Sequence, residues 1–135
     1  LKRPEQPVPK DPALEHIDAL AGKPFQAFPG QDHQAHITAH LNFMETNMVK
    51  NSPAIGAAIQ KNILEHISLM AQEQIEIEFK QELPQLAQMQ QIAMQNPQLQ
   101  QQVRMLSERI EARKSVLISE RISIGFPSAR ITIAE

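Results

Sequence analysis

Capping residues, most of them followed at once by proline, divide this chain into helices. A Ser, Asp or Asn side chain can accept a hydrogen bond from the first free N–H groups of a helix, and proline is favoured at the first helical position. The candidate helix starts are Asp11-Pro12, Asp32 and Ser52-Pro53, and Asn96-Pro97 is expected to break or kink the helix before it. Apolar residues at spacings of three and four follow each start, and this pattern predicts an all-α chain.

These punctuation points predict four regions. Three prolines within the first ten residues favour extended backbone before the first short helix. The regions are an extended arm with a short helix (1–31), a helical hairpin (32–83), Gln-rich and heptad-patterned helices (84–121), and a C-terminal loop or short strand (122–135). The predicted fold is therefore a helical hairpin plus long helices, assembled side by side.

The hairpin prediction rests on two apolar stripes separated by the turn at residues 51–53. Residues 33–50 carry Ile37, Leu41, Met44 and Met48. The second helix continues with Ile55, Ile59, Ile63, Ile67 and Met70. Residues 75–79 alternate apolar and acidic side chains, as strands do, but their Gln, Glu, Lys and Ala neighbours favour helix to about residue 82.

Two further helices carry apolar faces. In the short helix after Asp11, Leu14, Ile17 and Leu20 share one face, and Gly22 is the expected stop. The last helix, expected to end near Arg121, has a heptad seam formed by Leu99, Val103, Leu106, Ile110 and Leu117, with Arg113 at the skipped position.

The scarcity of aromatic residues limits how much core this chain can build alone. The 135 residues include no Trp and no Tyr, and aromatics make up 4%. Aromatic side chains bury the most area per residue, so Ile, Leu, Met and Ala must form the core here. Apolar stripes on such helices need partner surfaces. We therefore expect an oligomer or a segment of a larger protein.

The sequence offers little support for catalysis, so we expect no enzyme and no cofactor. There is no cysteine, and the four glycines are too scattered to form a phosphate-binding loop. No serine lies in a nucleophile-elbow motif. The net charge of −2 gives the whole chain no polyanion-binding signature. No apolar run approaches the roughly 20 residues that span a bilayer, so no membrane partner is expected.

A histidine-rich helix start is the sharpest local motif. His33, His36 and His40 lie within about 60° of one helix face. One hypothesis is a metal site in which these three join His66, with Glu65 as a further ligand. A second is a pH-sensitive contact. The favoured interpretation is that the imidazoles border the apolar stripe and pack at a helix–helix interface, with no metal bound.

The last predicted helix is locally basic. Arg104, Arg109, Arg113 and Lys114 are candidate DNA-facing residues. Glu108, Glu111 and Glu120 are interleaved with them, so the favoured interpretation is a salt-bridged helix. A helical adaptor for nucleic acid or a protein partner remains an alternative function.

The segment from Phe28 to His40, followed by Met44 and then by Ile63-Leu64-Glu65-His66-Ile67, resembles the C-terminal region of large portal proteins of tailed bacteriophages. In that family a DHxxHIxxH segment opens a helix, and a second helix with an HI pair follows a short proline-containing turn. The resemblance covers about residues 24–70. The family's wing, stem and clip regions are missing, so we expect a segment of a longer chain.

The resemblance implies a virion protein assembled in the host cytoplasm. Its partners would be identical subunits in a ring, a dodecamer in that family, together with other portal, capsid or tail-adaptor proteins. The ring joins the capsid to the tail, and double-stranded DNA passes through its channel during packaging and ejection. This part of the chain would belong to the crown, on the capsid side of the ring.

Overall fold

A computed structural model describes residues 6–125, and this part of the chain is all helical, with no strand. The six helices are α1 (Pro12–Leu20), α2 (His33–Met44), α3 (Asn47–Lys50), α4 (Pro53–Glu78), α5 (Glu82–Ala93) and α6 (Pro97–Gly125). The all-α prediction is confirmed. Within the same range, no helix is long and apolar enough to cross a membrane.

The predicted capping residues begin three of these helices, and Asn96, predicted only as a break or kink, caps a fourth. The side chains of Asp11 and Asp32 each accept a hydrogen bond from a backbone N–H at 3.1 Å. Ser52 Oγ accepts a longer one, 3.5 Å, from Ile55 N. Asn96 Oδ1 accepts from the backbone N–H groups of Gln98 and Leu99, at 3.0 and 3.4 Å. These local bonds satisfy N–H groups that the helix itself cannot pair.

Helix α1 ends at the predicted glycine. Gly22 has φ of +71°, a left-handed conformation that costs glycine little. Its N–H donates to Ala19 O, and Lys23 N–H donates to Asp18 O at 2.8 Å. This pair of bonds forms a Schellman motif, which turns the chain sharply after α1.

Three predicted boundaries differ from the structure. The predicted helix 33–50 is divided, because Thr46 takes an extended conformation between α2 and α3 and its Oγ1 donates to Phe43 O. Helix α4 ends at Glu78 rather than near residue 82. Helix α6 continues to Gly125, so the start of the predicted C-terminal loop or strand (122–135) is helical. Residues 126–135 lie outside the described part of the chain.

The chain divides into two compact units, with the boundary after Met70. In the first unit, α2 and residues 53–70 of α4 form the predicted helical hairpin. His33 contacts His66, and His40 contacts Asn62, so the partners run in opposite directions along the two helices. Fully buried isoleucines line this pair of helices: Ile37, Ile59, Ile63 and Ile67. Their burial confirms the centre of the second predicted stripe, whereas the first is fully buried only at Ile37 and its last residue, Met48, is 55% exposed.

Helix α1 packs beside α2 with an unexpected orientation. Glu15 contacts His36, and His16 contacts both His40 and Phe43, so the two helices run parallel. The acidic side of α1 is buried, with Glu15 at 1% and Asp18 at 7% exposure. Its apolar side faces outward: Leu14, Ile17 and Leu20 are 48%, 59% and 42% exposed.

The second unit begins at Ala71 and is built on α6. Leu106, Ile110 and Leu117 of the predicted heptad seam pack against the end of α4 and against α5. Their partners in this core are Ile75, Phe79, Leu83 and Leu86. The seam is thus covered, at these three positions, by neighbouring helices of the same unit.

Candidate functional site

Histidine side chains from three helices meet in the interior of the first unit. Helix α1 contributes His16, α2 contributes His33, His36 and His40, and α4 contributes His66. All but His16 are buried, with exposures of 5% or less. The carboxylate of Glu15 on α1 lies among them. A buried group of imidazoles around one carboxylate is unusual, because carboxylate side chains are mostly exposed and histidine is only intermediate in burial.

Four of these residues bring ligand-type atoms close together. Glu15, His36, His40 and His66 each offer one nitrogen or oxygen, and these atoms all lie within 4.8 Å of one another. Glu15 Oε1 lies 2.6 Å from His36 Nδ1 and 3.3 Å from His40 Nε2. The ring centroids of His36 and His66 are 4.5 Å apart. We define these four residues as the histidine–glutamate cluster.

His66 holds the one buried polar side-chain atom of the described residues that has no hydrogen-bond partner. Its Nδ1 lies 2.8 Å from His33 Nδ1, whereas its Nε2 is buried and unpaired. Burial, followed by the proximity of three other imidazoles, lowers the pKa of His66 to about 3 from its ordinary 6.5. The ring is therefore neutral at pH 7 and has a free nitrogen inside the protein.

A surrounding layer of hydrogen bonds orients the cluster. His16 Nε2 lies 2.8 Å from His40 Nδ1, and the His16 ring stacks on Phe43 with centroids 4.0 Å apart. Burial and the neighbouring His40 lower the pKa of His16 to about 4. Asn62 Oδ1 lies 2.8 Å from His40 Nε2. Helix α4 thus contributes Asn62 as well as His66.

The structure brings together three of the four histidines in the predicted metal-site hypothesis. His36, His40 and His66 belong to the histidine–glutamate cluster. His33 is outside it and contacts His66 through the Nδ1 atoms of the two rings. Glu65, the further ligand of that hypothesis, is instead engaged elsewhere. Its Oε1 accepts hydrogen bonds from Ala27 N and Asn62 Nδ2, which fixes the loop before α2 onto α4.

Glu15 was not among the predicted site residues. It lies 21 residues before its partner His36, and nothing in local spacing relates the two. One signal was present in the sequence: Glu15 and His16 lie next to each other on a helix whose remaining face is apolar. Sequence alone does not tell which face of such a helix is buried.

The four candidate DNA-facing residues lie on α6 in the second unit. Arg113 forms a bidentate ion pair with Glu78, with N–O distances of 2.8 and 3.0 Å. The Arg109 guanidinium lies 5.4 Å from the centroid of the Phe79 ring, at cation–π distance. Arg104 is exposed and Lys114 half-buried. Two of the four cations therefore have intramolecular contacts, but their partners Glu78 and Phe79 precede α6 and are not the interleaved acids named in the salt-bridge interpretation.

Replacing Arg113 by glutamine should have a small, acid-sensitive effect on stability. Hydrogen bonds from Arg113, then from Gln74, lower the pKa of Glu78 to about 2 from its ordinary 4.5. The pair therefore stabilises the fold fully above pH 4.5, and this contribution is lost as the pH falls toward 2. Thermal melts at pH 7 should differ from the unsubstituted chain by less than about 4 °C, since the pair is exposed. A difference that persists unchanged at pH 2 would contradict the assignment.

Comparison with models of protein families, with curated proteins and with solved structures finds no match to this chain.

Proposed function

We propose that this chain is a structural segment of a portal-type ring, the assembly that joins a phage capsid to its tail. Two observations support the proposal. The first is the sequence resemblance over residues 24–70, where the two motif-bearing helices form a hairpin. The second, which carries the proposal, is the uncovered apolar face of α1. In this role the chain acts by packing against other chains and turns over no substrate.

The exposed side of α1 is apolar throughout. Ala13, Leu14, Ile17 and Leu20 are its exposed residues, and none of them carries a charge. The polar residues Glu15 and Asp18 face inward, where the histidines and Lys10 bind them. Rotating α1 by half a turn about its own axis would bury its leucines, but it would separate Glu15 from its histidine partners. The interior contacts thus hold the apolar face outward, where a neighbouring chain can cover it.

We infer that the occupant of this face is a second copy of the chain. In a ring, one surface of every subunit meets a different surface of the next, so each copy presents both halves of the contact. An uncharged aliphatic face suits such a permanent contact, because obligate interfaces are more apolar than transient ones. Double-stranded DNA would pass through the channel of the assembled ring, with Arg104 and Lys114 of α6 as candidate DNA-facing cations.

Replacing Ile17 by lysine should prevent self-assembly. The side chain is 59% exposed, so the folded monomer tolerates the charge, but a covered apolar interface does not. Mass measurement by light scattering should show an oligomer for the unsubstituted chain and a smaller species for Ile17→Lys. Electron microscopy of the assembled protein should show rings.

Thr38→Lys on the exposed surface of α2 is the matched control and should assemble normally. Circular dichroism should show equal helix content in both variants. A monomeric unsubstituted chain, or an Ile17→Lys variant that assembles as well as the control, would contradict the role of α1 in assembly.

A further inference from the structure

We propose that Glu15, His36, His40 and His66 together bind one divalent transition-metal ion, and that the ion is zinc. This site is independent of the proposed ring assembly, because all four residues belong to the first unit of one chain.

The donor set has the chemistry that zinc prefers. Imidazole nitrogen and carboxylate oxygen both bind Zn²⁺ at about 2.0–2.2 Å, and structural zinc sites have four ligands in a tetrahedron. Such a tetrahedron places its ligand atoms about 3.4 Å from one another. The ligand atoms of the cluster range from 2.6 Å between Glu15 and His36 to at most 4.8 Å. Shifts of about 1 Å in the side chains therefore suffice to form the site.

The unpaired nitrogen of His66 is the independent observation that points to a ligand. A buried polar atom without a hydrogen-bond partner destabilises the fold, and such atoms are rare in native proteins. His66 Nε2 is such an atom, and it belongs to a fully buried ring. A metal ion in the cluster would give this lone pair its partner.

The neighbouring hydrogen bonds leave the required nitrogen of His66 available, whereas that of His40 has to exchange one partner. When His66 binds metal through Nε2, its Nδ1 carries the proton and donates to His33 Nδ1, 2.8 Å away. His40 Nδ1 is similarly engaged by His16. Metal-bound histidines usually have such a partner on the second ring nitrogen, which orients the ring. Binding through His40 Nε2 would replace its present contact with Asn62 Oδ1.

Charge and burial favour a structural ion over a catalytic one. A single carboxylate and three neutral imidazoles carry a charge of −1, so a divalent ion leaves the buried site with a net charge of only +1. All four coordination positions come from the protein and all four residues are buried, which leaves no open position for a substrate. The ion would link α1, α2 and α4, and it would reinforce a core whose fully buried apolar residues, within the part of the chain described, are isoleucines.

The test uses the full chain without a histidine tag, stripped of metal by a chelator and then titrated with zinc alone. We expect one zinc ion per chain after dialysis, submicromolar affinity, and a melting temperature raised by about 10 °C or more. Cobalt substitution should give the strong visible absorption of a tetrahedral site. A chain that retains no zinc and whose melting temperature does not change would overturn the proposal.

Two variants distinguish zinc binding at the proposed four-residue site from non-specific binding to other histidines. Glu15→Gln keeps the size of the side chain but removes its charge, and we expect zinc affinity to fall at least about 100-fold. Asp18→Asn is the matched control, since Asp18 is a buried acid on the same helix that pairs with Lys10 outside the cluster. It should bind zinc as the unsubstituted chain does. Equal affinity in Glu15→Gln and the unsubstituted chain would overturn the proposed ligand set.

A measurement on the unsubstituted chain keeps the proposal testable if Glu15→Gln does not fold. Nitrogen NMR of the imidazole rings should show zinc-induced shifts at one nitrogen each of His36, His40 and His66. His33 should keep both of its nitrogens free of metal. Zinc-induced shifts on His33 in place of His66 would contradict the assignment.

Discussion

Replacing Ile63 by alanine is expected to lower the free energy of unfolding of the first unit by about 2–5 kcal/mol. Ile63 is fully buried on α4, between other fully buried isoleucines. The substitution removes buried methyl groups and leaves a cavity, because close-packed neighbours relax only partly. In a unit of this size the melting temperature should fall by more than about 10 °C, as measured by loss of the helical circular dichroism signal.

Leu64→Ala is the control for this prediction, since Leu64 is the next residue on α4 and is 39% exposed. Truncation of the Leu64 side chain should lower the melting temperature much less than Ile63→Ala does. The side chain of Leu64 is already partly in water, so the substitution removes less buried apolar area. Metal should be removed from both proteins, so that zinc binding does not mask the difference. Similar melting temperatures for the two variants would show that Ile63 is not part of the core.

Acidification of the metal-free chain from pH 7 to pH 5 should destabilise the first unit by about 2 kcal/mol through His66 alone. In the unfolded chain, His66 takes up a proton near its ordinary pKa of 6.5. In the folded chain its pKa is lowered to about 3, because burial and neighbouring imidazoles disfavour the charged ring. Unfolding therefore takes up a proton below pH 6.5. The fold therefore keeps its full stability, as far as His66 is concerned, above pH 6.5. It progressively loses stability as the pH falls from 6.5 toward 3.

Urea titrations at pH 7, 6 and 5 measure this dependence. His66→Gln removes the titrating group while keeping a polar side chain that can reach His33, so its stability should fall less over the same range. The related ring of His16, with a pKa lowered to about 4, should retain its own contribution in that variant. Equal pH dependence in His66→Gln and the unsubstituted chain would contradict a neutral, buried His66.

The predicted helices agree with the structure where local hydrogen bonds decide the outcome. Asp11, Asp32 and Ser52 cap helices as predicted, because their side chains reach N–H groups three residues away and the signal lies within one short stretch of sequence. Helix ends were harder to place. The division at Thr46 and the extension of α6 to Gly125 were both missed.

The site was predicted in part. The spacing of His33, His36 and His40 placed them on one face, and the hairpin brought His66 to that face. The sequence favoured packing as the role of these rings and held a metal site as a hypothesis. Their burial agrees with packing, while the unpaired nitrogen of His66 gives the metal hypothesis its physical basis. The ring assembly, the DNA channel and the virion location stay predictions.

The sequence by itself determined that this chain is helical, because capping and the periodicity of apolar residues are properties of neighbouring positions. Only the tertiary structure decided that α1 buries Glu15 and exposes Ile17. A helical wheel defines two faces, but the choice between them depends on what the rest of the chain offers. Here α2 and α4 offer buried imidazoles, and a carboxylate taken out of water needs such partners more than an isoleucine needs burial. That choice created both the candidate metal centre and the uncovered apolar face.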